Sequence, residues 1–137
     1  MLTLFRLACA VNGAAMIATG LYGVVAPGAA MNLMTGLQHS WDVETLSLMR
    51  MHNGADFGLG VGFALCAARP RTSFAALVLC LFANVAHGVV HVIDEMHGHH
   101  SPENLGPIGI LLGMSALIAA LYPWREGLRS WLGPQPA

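Results

Sequence analysis

The sequence predicts an all-α protein in which four long apolar helices cross a membrane as one antiparallel, up-and-down bundle. Apolar residues make up 55% of the 137 residues and charged residues only 9%, whereas about a quarter of a typical soluble domain is charged. The charges lie outside the apolar segments or near their ends, and four segments approach the roughly 20 residues that a bilayer-spanning helix needs. The lipid bilayer is therefore the first expected partner. The formal net charge of −1 gives no reason to expect a nucleic-acid partner.

Helix-start and helix-stop residues delimit the four predicted spans. Ser40 or Asp42 is expected to be the N-cap residue ahead of the second span, and Pro123 stops the fourth. Residues 1–124 are therefore predicted to form a single transmembrane domain, with a loop over residues 26–42 and a polar tail over residues 125–137. The predicted spans, in chain order, are residues 2–25, 43–67, 73–96 and 104–122.

The charge distribution predicts how the bundle is oriented. With four spans, the N-terminus, the turn between the second and third spans, and the C-terminal tail all lie on one side. Because basic residues concentrate on the cytoplasmic side of membrane proteins, both termini are predicted to be cytoplasmic in a multi-pass inner-membrane protein. The basic residues on that side are Arg6, Arg69, Arg71, Arg125 and Arg129.

Small residues predict where the helices approach one another. Glycine spaced by four residues lets helix backbones pack closely in a bilayer, and the same surfaces are suited to a homo-oligomer or a larger membrane complex. The cysteines all lie in apolar segments, so we expect small buried residues and no disulfide. The glycines concerned are Gly13, Gly20, Gly23, Gly54, Gly58, Gly62, Gly109 and Gly113, and the cysteines are Cys9, Cys66 and Cys80.

A polar site is predicted between the second and third spans. His52 and Asp56 are four residues apart and share a face of the second span, with Met49 and Asn53 beside them. At about 1.5 Å per residue, His52 and His87 both lie roughly 14 Å from the outer side. Spacings of 4, 3, 4 and 3 line up a polar stripe on the third span: Cys80, Asn84, His87, His91 and Asp94.

Metal binding is the leading hypothesis for this site. Imidazole and carboxylate ligands suit Cu, Zn, Mn or Fe, and such a metal could make the protein redox-active. Haem held by two histidines is a less favoured form of the same idea. It stays open whether Asp94 and the histidine-rich loop of His97, His99 and His100 belong to the site. The candidate metal ligands are His52, Asp56, His87, His91 and Asp94.

Two other roles fit the same residues. An enzyme acting on a small molecule, a quinone or a lipid could use His87 and His91 as acid–base groups or as a proton relay, with Asp56 and Arg50 as further catalytic candidates. Alternatively, the histidines could form hydrogen bonds between helices and make the chain an accessory structural subunit of a larger complex. The sequence alone does not choose among these roles.

Several residues in the first half of the chain follow the pattern of a known family. They are Asn12-Gly13, residues 20–27, Arg50 with the following Gly54, Gly58, Gly60 and Gly62, and Arg69. This pattern resembles the DoxX-like small four-helix bacterial membrane proteins, over about half of the chain. The resemblance implies the same four-helix membrane fold and an association with quinone-linked redox chemistry. His87, His91 and the histidine-rich loop have no counterpart in that pattern.

Overall fold

The computed structural model is all-helical and describes residues 1–97 and 102–133 of the chain. The all-α prediction is confirmed, and the four long helices lie within two residues of the predicted spans. The helices over these residues are α1 (Leu2–Val25), α2 (Pro27–Thr35), α3 (Val43–Ala68), α4 (Phe74–Met96), α5 (Pro102–Leu121) and α6 (Trp124–Leu132).

Helix α3, which carries half of the predicted site, begins after Asp42, one of the two predicted N-cap residues. Asp42 Oδ1 accepts a hydrogen bond from the backbone N–H of Thr45 at 2.8 Å, and the Thr45 hydroxyl donates to Asp42 Oδ2 at 2.8 Å. The acidic Glu44 in the first turn also suits the positive end of the helix dipole. The short turn after α3 leads directly into α4, as the sequence predicted.

The prediction of a plain loop over residues 26–42 was wrong, because α2 occupies Pro27–Thr35. Proline at the first helical position has a φ suited to a helix start. Gly36 ends the helix with a φ of 67°, a left-handed conformation that glycine adopts without strain. Asn32 Oδ1 then accepts hydrogen bonds from the following segment, from Trp41 Nε1 at 2.7 Å and from the His39 backbone N–H at 3.3 Å.

The polar tail predicted after Trp124 also contains a helix, α6. Its apolar residues Trp124, Leu128 and Trp131 recur at the spacing of one helix face. The Trp124 indole N–H donates to the Ala119 carbonyl at 2.8 Å, and the Trp131 ring lies 5.8 Å from that of Phe74. The charged residues of this segment led to the prediction of a polar tail, and its apolar face was not predicted.

Helices α1 and α3 form the most intimate contact in the molecule. A Cβ on Gly20 would lie 2.6 Å from the Phe57 backbone nitrogen, and a Cβ on Gly60 would lie 2.8 Å from the Gly13 carbonyl oxygen. Rising numbers on α1 pair with falling numbers on α3, so the two helices are antiparallel. Close approach within the bundle was predicted wrongly for four glycines, each of which faces open space: Gly54, Gly58, Gly109 and Gly113.

The four long helices close into a ring, because α4 packs between α3 and α5, and α5 returns to α1. The buried core is concentrated at the end that holds the N-terminus of α1 and the α3–α4 turn. Phe5, Phe63, Leu77 and Ile118 are fully buried there, and Tyr122 donates its hydroxyl to the Pro70 carbonyl at 3.0 Å. Cys9, Cys66 and Cys80 are buried free thiols, as predicted.

By length and composition, two of the described helices can cross a membrane: α1 and residues Phe74–Ile93 of α4. The pair Ile108–Leu121 and Trp124–Leu132 qualifies as a third if the two helices, bent by 75°, are counted as one span. Helix α3 is not among these candidates. Its Glu44, Arg50 and Asp56 make it more polar than α1 and α4.

Candidate metal centre

The candidate metal centre is formed by His52 and Asp56 on α3 and His87 on α4. Asp56 Oδ2 lies 3.6 Å from His52 Nε2, and Asp56 Oδ1 lies 3.6 Å from His87 Nδ1. The two imidazole rings meet edge to face, with their centroids 4.7 Å apart. One ligand atom from each of the three residues lies within 4.8 Å of the other two, so a single ion can reach all three.

Local sequence and topology together bring these atoms into contact. His52 and Asp56 lie one helical turn apart on α3, so their side chains project from the same face. The short turn between α3 and α4 makes the helices antiparallel neighbours, which sets His87 opposite that face. Of the four residues predicted to converge, the structure brings these three together.

His91 extends the cluster without joining the three ligand atoms. Its Nε2 lies 3.2 Å from His87 Nε2, and the two rings stack with centroids 5.0 Å apart. His87 therefore presents Nδ1 to Asp56 and Nε2 to His91. A histidine that ligates a metal through one nitrogen usually holds a partner through the other, so His91 fits the role of orienting His87.

The centre is sheltered on one side and open on the other. The side chains of Asp56 and His87 are 17% and 19% exposed, whereas that of His52 is 49% exposed. A carboxylate that is mostly removed from solvent needs compensating charge or hydrogen bonds. A cation held by these three side chains would supply that charge, and the exposed edge of His52 would give it a route of entry.

Several residues that the sequence placed near the site point elsewhere. Arg50 is exposed and takes part in none of the ion pairs among the described side chains. Asn53 and Met49 are buried, and Asn53 Nδ2 donates to the Met49 carbonyl at 2.8 Å. The Asn53 side chain packs against Gly23 of α1, on the face of α3 turned away from the histidines.

The inner residues of the polar stripe on α4, Cys80 and Asn84, contact the neighbouring helices and do not belong to the metal centre. Asn84 is fully buried, and its Nδ2 donates to Ser115 Oγ at 2.9 Å and to the Leu111 carbonyl at 3.1 Å on α5. Cys80 directs its thiol toward the Leu59 carbonyl at 3.9 Å. The sequence interpretation did not pair Asn84 with α5, although Ser115, a lone hydroxyl in an apolar helix, was a usable signal.

The outer members of the predicted site are only partly described. His97 is exposed, and its Nδ1 lies 2.7 Å from the Ile93 carbonyl oxygen of its own helix. The Asp94 side chain lies outside the described part of the structure, as do His99 and His100.

Comparison with known protein families, curated proteins and solved structures finds no match for this chain.

Proposed function

We propose that this chain is an integral membrane protein that binds one divalent transition-metal ion through His52, Asp56 and His87. The observation that carries the proposal is the approach of three ligand atoms, from two helices, to within 4.8 Å of one another. Residues from both α3 and α4 are needed, so an ion bound here would also hold the two helices together.

The spacing of the ligand atoms suits a small ion. An ion with tetrahedral bonds of about 2.0–2.1 Å keeps neighbouring ligand atoms roughly 3.3 Å apart. Asp56 makes its two 3.6 Å contacts through different oxygens, Oδ2 toward His52 and Oδ1 toward His87. One ligand atom from each residue lies within 4.8 Å of the others, so binding of one ion would draw the three side chains closer together.

The kind of ion follows from the ligands. Two histidines and a carboxylate with an open position are the ligands of many catalytic zinc sites and of non-haem iron(II) sites. Zn, Fe, Mn and Cu all remain in the proposed class, and a redox role would follow from Fe, Mn or Cu. The imidazole rings of His52 and His87 are in contact, with centroids 4.7 Å apart. Because a porphyrin does not fit between them, this geometry favours a single ion over haem.

The membrane setting is part of the proposal. Helix α3 packs against α1 over much of its length, from Gly60 beside Gly13 to Asn53 beside Gly23, so α3 would share the depth of α1 in the bilayer. Four spans would then put both termini in the cytoplasm and the metal centre in the outer half, in a fold like that of the DoxX-like proteins. A charged aspartate at the centre of a membrane helix costs roughly 2.5–3.5 kcal/mol on insertion scales, so retaining Asp56 within the bilayer favours a functional role.

Metal analysis of the purified protein tests this proposal. The chain is isolated through a tag that contains no histidine, stripped with a chelator and titrated with Zn²⁺, Mn²⁺ and Fe²⁺. We expect about one ion per chain for the wild type and at least a hundredfold weaker binding for Asp56→Asn, which removes the anionic ligand but keeps its shape. His39→Ala removes an exposed histidine outside the cluster and is the matched control. Two results would contradict the proposal. One is a metal content below a tenth of an ion per chain with no uptake on titration, and the other is a loss of metal affinity in His39→Ala equal to that in Asp56→Asn.

A second candidate function rests on the continuity of the cluster. The contacts from His52 to Asp56, from Asp56 to His87 and from His87 to His91 measure 3.6, 3.6 and 3.2 Å. Such a row of titratable groups can pass protons. Proton uptake by reconstituted vesicles that persists in a chelator and disappears in His87→Ala would favour the relay. Uptake that the chelator abolishes would favour the metal.

A further inference from the structure

At the end of the bundle opposite the histidines, the N-terminal turn of α1 and the α3–α4 turn line an open surface cavity of about 660 Å³. We call it the basic cavity. Its volume falls within the range of about 300–1,000 Å³ that is typical of small-ligand sites. The cavity is lined by Leu2, Arg6, Ala68, Arg69, Pro70, Arg71 and Thr72.

The charges around the basic cavity are unbalanced. Arg6, Arg69 and Arg71 are three cations that line the cavity. Among the described side chains, Glu126 of α6 meets one of them, at 3.5 Å from Arg71 Nε. Arg6 and Arg69 form no ion pair in the described part of the chain. The basic cavity therefore carries an excess of positive charge, which suits an anionic ligand. The planar guanidinium groups can bind phosphate oxygens in pairs.

Helix α6 indicates the level at which this cavity meets the membrane. The α6 axis is bent by 75° from that of Ile108–Leu121, so α6 lies nearly in the membrane plane if α5 crosses the bilayer. Its Trp124 and Trp131 are 40% and 59% exposed, and tryptophan is enriched at the level of lipid headgroups. Because Glu126 of α6 touches Arg71, the basic cavity lies at this same level.

From these observations we infer that the basic cavity binds the phosphate group of an anionic phospholipid, with Arg6 and Arg69 as the main ligands. Thr72, also in the cavity wall, can donate a hydroxyl hydrogen bond to the same group. Basic pockets between membrane helices on the cytoplasmic side are suited to anionic headgroups. The inference requires that the chain lies in a membrane, and it does not depend on the metal centre.

Titration of delipidated protein with defined lipids, followed by native mass spectrometry, tests the inference. Phosphatidylglycerol should bind at least tenfold more tightly than phosphatidylcholine, and added salt should weaken this preference. Arg6→Gln with Arg69→Gln should weaken phosphatidylglycerol binding about thirtyfold, or about fivefold for each arginine. Arg125→Gln, which removes a charge from α6 outside the cavity wall, is the matched control and should bind as the wild type does.

A further variant should strengthen binding and so separates charge effects from damage to the fold. Glu126→Gln removes the carboxylate that meets Arg71, and we expect phosphatidylglycerol to bind severalfold more tightly. A general loss of structure cannot produce such a gain.

Three outcomes would overturn the inference. The first is equal binding of phosphatidylglycerol and phosphatidylcholine by the wild type. The second is the same loss in Arg125→Gln as in the double variant. The third is inorganic phosphate alone binding more tightly than the lipid, which would assign the cavity to a free anion. Competition by phosphate only at far higher concentrations supports the lipid assignment, because the lipid adds contacts from its glycerol and acyl chains.

Discussion

The two faces of α3 differ in their residues and in the contacts they make. The face toward α1 is built from glycine and buried side chains, and a Cβ on Gly60 would lie 2.7 Å from the Ile17 backbone nitrogen. The face toward α4 carries His52 and Asp56, and across it Asp56 Oδ1 lies 3.6 Å from His87 Nδ1. In this molecule the tight backbone packing and the candidate chemistry therefore lie on opposite sides of one helix. Changes on the first face should damage the fold, and changes on the second should damage binding.

The largest effect is expected on the α1 face. Gly60→Leu places a side chain against the Gly13 carbonyl and the Ile17 backbone, which cannot retreat unless the helices separate. Overpacking typically costs about 1–3 kcal/mol and more where backbone blocks relaxation, so we expect little folded protein. Gly58→Leu, two residues away and facing open space, is the matched control. The unfolding midpoint in a denaturing detergent measures both, and equal behaviour would contradict the described α1–α3 contact.

A smaller effect, confined to binding, is expected on the α4 face. His91→Ala removes the partner of His87 Nε2, and loss of such a partner typically weakens metal binding about 10- to 100-fold. The drop should be smaller than that of Asp56→Asn, and the unfolding midpoint of the metal-free protein should move little. His97→Ala, an exposed histidine farther along α4, is the control in the same metal titration. Zinc binding unchanged in His91→Ala would remove His91 from the centre.

A still smaller effect is expected at the α4–α5 contact. Asn84→Ala deletes two hydrogen bonds to α5, and inter-helix hydrogen bonds in membranes are worth about 0.6 kcal/mol on average and up to about 1.7. Its carbonyl oxygen, Oδ1, accepts no hydrogen bond from the described residues, so the native side chain also carries an unpaired polar atom that offsets part of the loss. We expect a modest drop in the unfolding free energy and unchanged metal affinity. A lower metal affinity in Asn84→Ala would mean that the polar stripe acts as one unit.

The smallest effect is expected where α3 begins, and it depends on pH. The hydrogen bonds from Thr45, led by that of its backbone N–H, lower the pKa of Asp42 below its ordinary 3.8. The carboxylate therefore stabilises the folded state above that value, and this contribution is lost as the pH falls through the lowered pKa. Asp42→Asn should narrow the difference in unfolding midpoint between about pH 6 and about pH 3. A pH dependence identical to that of the wild type would show that the cap contributes nothing.

The contact between α3 and α4 could be predicted from the sequence, because it follows from residue spacing within one helix and from the short turn that joins the two. Helix spacing placed His52 with Asp56 on one face, and the five-residue turn placed His87 across from them. The partner of α3 on its other side was not predictable in the same way. The spacing of glycines predicted close helix contacts at Gly54 and Gly58. In the structure α3 is rotated so that Asp56 faces α4, and in this orientation Gly60 is the glycine that faces α1. Helix α6 was not predicted, because its apolar residues are interspersed with charged ones and recur only at every third or fourth position.

X-ray absorption spectroscopy of the zinc-loaded protein identifies the atoms bound to the metal and so tests the proposed centre of His52, Asp56 and His87. We expect nitrogen and oxygen neighbours at about 2.0–2.1 Å, with the outer-shell signals of two imidazoles that His39→Ala leaves unchanged. The spectrum should lose an oxygen neighbour or the bound zinc itself in Asp56→Asn. A sulfur neighbour at about 2.3 Å, or an Asp56→Asn spectrum identical to that of the wild type, would contradict the account.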